Sequence, residues 1–355
     1  MKIVFRVDAS KELGIGHFMR CLALSEEFTR RGHVCIFFSK IDHSLIWKIK
    51  NYDINHKIIS KETSWRKELV LLTNFLKENN IDWVVTDHYK IDSNYIRAII
   101  KNGVKVLSID DTAQIYYYSN IVVNQNIGAE KIRFESDENT IFLLGPDYIM
   151  IRDSLLKRNE KKYRKKVKKI LVTMGGTDNY NLTKKILKMI ELSHLDKKID
   201  IILIIGPLNT FSSNIKDYVK KSKLKVNIIE SPKDISKIYL DSDIAISAGG
   251  STCYELAYFG IPNMIITIAN NQLEIAKELY EKHISIYLGD KNKINLDDFR
   301  HKINELIINN YIRKKMIEGK GVEFPWGANR KTCTKCGAKW LPEDFEHCGK
   351  CGAKL

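Results

Sequence analysis

Asp8-Ala9-Ser10-Lys11-Glu12-Leu13-Gly14-Ile15-Gly16-His17-Phe18-Met19-Arg20 leaves a first strand, Lys2 to Val7, crosses a glycine-bearing loop and enters a helix. The helix shows in Phe18, Cys21, Leu22, Ser25 and Phe28, whose spacing makes one narrow face, with Gly32 placed to end it. Gly14 and Gly16 let the backbone turn sharply and approach a ligand closely, and free N–H groups at a helix start favour an anion. His17 therefore stands where a phosphate would sit. A Gly-x-Gly after a strand first suggests a dinucleotide, but Met19 occupies the place of the third glycine, which argues against a nicotinamide cofactor. Taken alone, this corner reads equally well as a helix-start histidine satisfying local hydrogen bonds.

Outward from that corner, His33 to Ser39 reads as a strand and Ser64 to Asn79 as a helix with Leu69, Leu72, Phe75 and Leu76 inward. Asp82 to Thr86 is a buried strand ending in Asp87-His88-Tyr89. A helix over Ser93 to Lys101 stops at Asn102-Gly103. Val104 to Ile109 then runs into Asp110-Asp111, and Ile121 to Val123 into Asn124-Gln125-Asn126. Strands alternating with helices imply a parallel sheet, and in such sheets ligands bind beyond the carboxyl ends of the strands. Polar residues cluster at those ends.

The run Lys157 to Lys169, with Glu160 its only acid, marks a boundary and reads as a solvated linker helix; a membrane or nucleic-acid contact is the competing reading. A second alternating half follows. Ile170 to Met174 leads into Gly175-Gly176-Thr177-Asp178 and a helix from about Tyr180, with further strands at Ile199 to Ile205, Val226 to Ile229 and Ile244 to Ser247. The last of these enters Ala248-Gly249-Gly250-Ser251-Thr252-Cys253-Tyr254-Glu255, a glycine pair opening a helix, which can present N–H groups and hydroxyls to a diphosphate. Glu255, one turn inside, is placed to accept bonds from ribose hydroxyls. Met264 to Ile268 ends in Asn270-Asn271-Gln272, and Ser285 to Leu288 closes the set. Singly, these glycines read as well as tight turns and Glu255 as an exposed acid; two glycine loops in two similar halves make a shared cleft the economical account.

The 355 residues give room for two ordinary domains and a small appendage, with 44% hydrophobic residues for packed cores. No stretch is long enough to span a membrane, and the start lacks a signal-peptide pattern, so a cytoplasmic location is expected. A formal net charge of +15 suits acidic partners without choosing among nucleic acid, anionic membrane and a phosphorylated small molecule. Cys21, Cys35 and Cys253 sit in apolar contexts as small core residues. Cys333-x2-Cys336 and Cys348-x2-Cys351 form two knuckles, the spacing of a zinc ribbon in which four thiolates surround one structural ion; the alternative is a reducible dithiol pair.

The first motif, together with Asp87-His88-Tyr89, Gly145-Pro146-x-Tyr148, Gly175-Gly176-Thr177-Asp178, Gly249-Gly250-Ser251-Thr252 and Asn271-Gln272, resembles the UDP-sugar hydrolases of the pseudaminic acid pathway, from Met1 to about Gly321. That resemblance implies two facing Rossmann-like domains, as in nucleotide-sugar glycosyltransferases, and is especially close to the transferase that adds N-acetylglucosamine to lipid-linked peptidoglycan precursors. It implies hydrolysis of UDP-2,4-diacetamido-2,4,6-trideoxy-β-L-altropyranose to the free sugar and UDP, by water attack at the anomeric carbon. His17 would be the general base and Tyr89 would position the water. Gly249, Gly250, Ser251 and Thr252 would hold the diphosphate, Glu255 the ribose, and Asn271 the sugar or diphosphate. Asp8, Gly14, Gly16, Arg20, Gly175, Gly176 and Gln272 complete the implied substrate-binding set.

The expected organisation is an α/β chain. A Rossmann-like catalytic domain over 1–156 and a basic linker over 157–169 precede a Rossmann-like nucleotide-binding domain over 170–320, a linker over 321–332 and a zinc ribbon over 333–355. Catalysis needs no cofactor on this reading, zinc is structural, and the partner is a UDP-sugar, with neither a stable nucleic-acid partner nor integral membrane association. The ribbon lies outside the resemblance, and its own partner is unknown. Two other functions compete: a glycosyltransferase using the same cleft, for which Ile46-Trp47 with Lys48 and Lys50 offers a small docking patch, and a nucleic-acid binder using the ribbon and the basic run.

Overall fold

The computed structural model describes residues 1–10, 13–42, 45–46, 54–156, 161–232, 234–318, 331–332 and 339–341. Its amino-terminal half is a seven-stranded parallel sheet built from β1 (Lys2–Val7), β2 (Val34–Lys40), β3 (Asn55–Ile59), β4 (Trp83–Asp87), β5 (Lys105–Ile109), β6 (Ile121–Asn124) and β7 (Ile141–Leu144), in the order β3-β2-β1-β4-β5-β6-β7. Every residue of β1 after Lys2 is buried, as a strand covered on both faces must be. Ile3, Phe5 and Val7 pack under α1 (Gly16–Arg30) against Phe18, Cys21 and Leu22. Val4, Val84 and Val106 face the opposite layer, α2 (Trp65–Glu78) and α3 (Ser93–Ile100), through Leu72, Leu76, Ile96 and Ile99. Ser64 caps α2 and Asp92 caps α3 by accepting N–H bonds from Lys67 and Tyr95.

The second half repeats the plan with six parallel strands. They are β8 (Lys169–Thr173), β9 (Asp200–Ile205), β10 (Val226–Glu230), β11 (Ile244–Ala248), β12 (Asn263–Thr267) and β13 (Ser285–Asp290), ordered β10-β9-β8-β11-β12-β13. Helices α4 (Leu182–Leu192), α5 (Ser212–Lys221), α6 (Ser236–Asp241), α7 (Thr252–Tyr258), α8 (Leu273–Glu281), α9 (Leu296–Ile308) and α10 (Asn310–Glu318) cover its faces. Ile170 and Val172 pack with Ile186 and Ile190 of α4 on one side; Leu171, Ile202 and Ile204 pack with Leu256 and Phe259 on the other.

Each sheet has a point where strand order reverses. β1 lies between β2 and β4 in the first, and β8 lies between β9 and β11 in the second. Loops leaving such neighbouring strands diverge to opposite faces and open a crevice at the carboxyl ends. Those ends are Val7 and Asp87 in one half, Thr173 and Ala248 in the other, and the two crevices meet in one cavity.

The structure departs from the sequence reading at several points. The helix near Tyr180 starts at Leu182, after Asp178 and Asn181 with positive φ. The strands β3 and β7 were not anticipated; both are sheet edges, half exposed, and so lack the continuous apolar run of a central strand. The linker is not helical over 161–168. Arg164 instead reaches Asp241 at 3.0 Å and Asp243 at 3.1 Å, and Asp243 Oδ2 accepts the N–H groups of Lys168 and Lys169. Cationic side chains that would repel along a helix are spread over acids of the neighbouring helix end. In the tail, Lys331–Thr332 pairs antiparallel with Lys339–Leu341. Cys333, Cys336, Cys348 and Cys351 lie outside the described residues, as do Trp47, Lys48 and Lys50. Among the described residues no group of three or more His, Cys, Asp or Glu is placed to hold a metal, and no helix is long and apolar enough to cross a membrane.

Candidate active site

The cavity between the halves has a volume of about 960 Å³. On the amino-terminal side its corner is the loop that follows β1. Ser10 and Gly14 exchange backbone hydrogen bonds of 3.3 and 2.8 Å, closing the loop, and Gly14 holds φ at +79°, where only glycine is unstrained. α1 then begins at Gly16 with no side-chain cap and no acid in its first turn. His17 projects from that turn into the cavity.

His17 belongs to a carboxylate network. Its Nδ1 lies 2.6 Å from Asp87 Oδ1, the residue at the carboxyl end of β4. A contact of that length to a carboxylate requires Nδ1 to carry the proton, which leaves the Nε2 lone pair as the available base. Arg20, one turn along α1, grips the same carboxylate with Nε at 2.6 Å and NH2 at 2.7 Å, and holds Asp111 with NH1 at 2.9 and 3.0 Å. The paired Arg20 and His17 hold the Asp87 carboxyl far below the usual carboxylate range, against the upward push of burial. Asp87 is thus a fixed anion that orients the imidazole.

Tyr89 stands edge-on to His17, with ring centroids 4.7 Å apart and planes at 86°. Its hydroxyl accepts a 2.8 Å bond from Asn271 Nδ2, on the opposite half, and points its own proton to Asp111 at 3.4 Å. Asn126 at the end of β6 donates to Asp111 at 2.8 Å, and its Oδ1 accepts from Tyr254 at 3.3 Å, a second bond across the cleft. Burial raises the Tyr89 phenol well above its ordinary value, so the group stays protonated.

On the carboxyl-terminal side two glycine loops face this network. Gly206, just past β9, has no room for a side chain, because a Cβ there would lie 2.2 Å from Gly175 O; the Gly175-Gly176 loop rests directly on it. Gly176 in turn approaches Ile15 of the other half. At the turn after β11, the Gly249 N–H is spent on Ile266 O, at 2.9 Å. The donors left facing the cavity are therefore those of Gly250, Ser251 and Thr252, without a hydrogen-bond partner among the described residues. Gln272 braces the turn from behind: its Oε1 accepts from Ile268 N–H at 2.9 Å, and its side chain sits against Gly249. Glu255 lines the floor, with Tyr239 donating to its Oε2 at 2.7 Å and Arg152 NH2 3.9 Å from its Oε1.

All the residues anticipated for the site line this one cavity except Asp8. Asp8 turns into the domain, bound by Arg6 at 2.5 and 3.0 Å and by Lys40 N–H at 2.7 Å, and has no side chain to offer a substrate. Arg20 reaches the cavity wall, but Asp87, Asp111 and His17 surround its guanidinium, which makes it a positioning group. Asp87, Asp111, Asn126, Arg152 and Tyr239 were assigned no role from sequence. The first three stood in plain view as polar strand ends; nothing in their spacing says which pair with Arg20.

Residues 169–325 match the glycosyltransferase family 28 C-terminal domain. An uncharacterized protein of Methanocaldococcus jannaschii is 28% identical over 295 residues, 80% of this chain but only 58% of that protein, so the chain spans less than two thirds of that relative's length. The Campylobacter jejuni protein named UDP-2,4-diacetamido-2,4,6-trideoxy-beta-L-altropyranose hydrolase is 28% identical over 287 residues, 79% of this chain and 97% of that one. Among solved structures, MurG of Acinetobacter baumannii superposes with a TM-score of 0.62 at 14% identity, covering 90% of this chain and 94% of its own. The fold is that of the two-domain GT-B glycosyltransferases.

Proposed function

We propose that the protein hydrolyses a UDP-sugar, of the 2,4-diacetamido-2,4,6-trideoxy class named for the Campylobacter relative, to the free sugar and UDP. The observation that carries this reading is the His17–Asp87 pair, set in the cavity wall opposite the glycine turn of Gly250-Ser251-Thr252. His17 Nε2 takes a proton from water as the water oxygen bonds to the anomeric carbon. The bond from that carbon to the diphosphate oxygen breaks, and its electron pair leaves with UDP. Tyr89, held between Asn271 and Asp111, orients the water. The free N–H groups of the glycine turn receive the charge that grows on the diphosphate, and Glu255 takes the ribose hydroxyls.

This scheme asks no metal or cofactor of the cleft. Reaction in oxygen-18 water tests it: the label should enter the sugar and not UDP. Label in UDP would mean attack at phosphorus and would overturn the scheme.

A second reading, transfer of the sugar to an acceptor hydroxyl in place of water, is favoured by the family 28 domain. The two separate cleanly. A hydrolase releases UDP with no acceptor present; a transferase does not.

A further inference from the structure

Glu255 has two oxygens in different circumstances. Tyr239 is fully buried, with its ring edge-on to Phe259 at 5.2 Å, and its hydroxyl donates at 2.7 Å to Oε2. Oε1 has no hydrogen bond among the described residues and has the Arg152 guanidinium at 3.9 Å, too far for a bond. Glu255 and Tyr239 both border the cavity, and the Glu255 side chain keeps 18% of its surface accessible.

A carboxylate on a short helix can swing among rotamers, and an immobile one binds a diol better because ordering it costs nothing at the moment of binding. We propose that Tyr239 is the positioning residue for nucleotide selection: by pinning Oε2 it aims Oε1 at the ribose diol, so that the cavity distinguishes ribonucleoside from deoxyribonucleoside diphosphates. This rests on the assignment of Glu255 to the ribose. Arg152 stands beside the carboxylate without occupying the oxygen that does the reading.

The test is Tyr239→Phe, which keeps the buried ring and removes only the hydroxyl. Calorimetric titration with UDP and with 2′,3′-dideoxy-UDP gives a preference ratio for each protein. Wild type should prefer UDP. The variant should lose about three- to ten-fold in UDP affinity, less than the whole of a charged hydrogen bond because the effect is indirect, and should bind the dideoxy analogue as wild type does. A structural lesion would weaken both ligands together. In a Glu255→Ala background the Tyr239 substitution should change nothing further. A preserved ratio in Tyr239→Phe, or an equal loss for both ligands, overturns the positioning role while leaving Glu255 at the ribose. Equal binding of the two nucleotides by wild type removes Glu255 from the ribose, and the proposal falls with it.

Discussion

The imidazole of His17 is useful because everything else around it is already spoken for. Asp87 holds Nδ1, Arg20 holds Asp87, and Asp111 holds Arg20, which leaves His17 Nε2 without a hydrogen bond among the described residues, the position the proposed scheme gives to water. Replacing His17 by Asn should leave UDP affinity nearly unchanged while single-substrate turnover falls by roughly two to four powers of ten, the usual range for a general base. Wild-type turnover in that variant would make His17 structural. The neighbouring His88 behaves differently. Its Nδ1 accepts Lys90 N–H at 2.9 Å, its Nε2 faces Asp8 at 3.4 Å, and Trp65 packs on its ring at 5.1 Å. Burial brings its pKa down to about 4. The folded value lies below the unfolded one, near 6.5, so the contribution is complete above about pH 6.5 and is lost as pH falls through 4, a change of at most about 3 kcal/mol. Urea unfolding at a series of pH values should show this loss, and His88→Gln should flatten it; an unchanged slope would place the titration elsewhere.

At the scale of elements, the strands were the legible part. β1, β4, β5, β8 and β11 are apolar runs ending in a polar or glycine-bearing loop, and their ends are where the cavity formed. The edge strands β3 and β7 were not legible, because half-exposed residues such as Ile141 and Phe142 carry no core pattern, whereas the edges β10 and β13 of the second sheet were read. The linker was misread for a related reason: its conformation is set by Asp241 and Asp243, residues more than seventy positions away in sequence. Asp8 meets Arg6 locally, two residues back on the same face of the extended chain, whereas Glu68, which holds Arg6 at 2.5 Å, comes from far along the sequence and was hidden in the same way. The Gly175-Gly176 loop, in contrast, announced itself without revealing that it rests on Gly206. Gly206→Ala puts a methyl against the Gly175 and Gly176 carbonyl oxygens and should cost about 1–3 kcal/mol in denaturant unfolding while weakening UDP. Wild-type stability together with wild-type affinity would show that the loop gives way freely.

For the whole molecule, charge and appendage remain to be placed. Residues 1–156 carry 21 Lys and Arg against 20 Asp and Glu, whereas 157–318 carry 30 against 19, so the half assigned to the diphosphate is the electropositive one. Such a field raises the encounter rate of an anionic ligand, and that rate falls with salt. The two Cys-x2-Cys knuckles of the tail predict one zinc per chain, with four thiolates and no open position for water. Elemental analysis of the purified chain should find it, and truncation after Gly321 should remove the metal while UDP-sugar hydrolysis continues. Zinc absent from the intact chain would refute the ribbon; activity lost with the tail and restored only by zinc would refute the division of labour.

The hydrogen bond from Asn271 to Tyr89 ties the residue proposed to orient water to a residue on the nucleotide half. Separation of the halves would remove the donor to the phenol, and on the proposed scheme the water would lose its guide. An activated sugar is costly to make, and an enzyme that cut it on casual contact would squander it. On the proposed scheme the Asn271–Tyr89 bond would make the two halves a coincidence detector: the nucleophile would be aimed only with the nucleotide-binding half in place, so that cleavage would wait on both ends of the substrate being held at once.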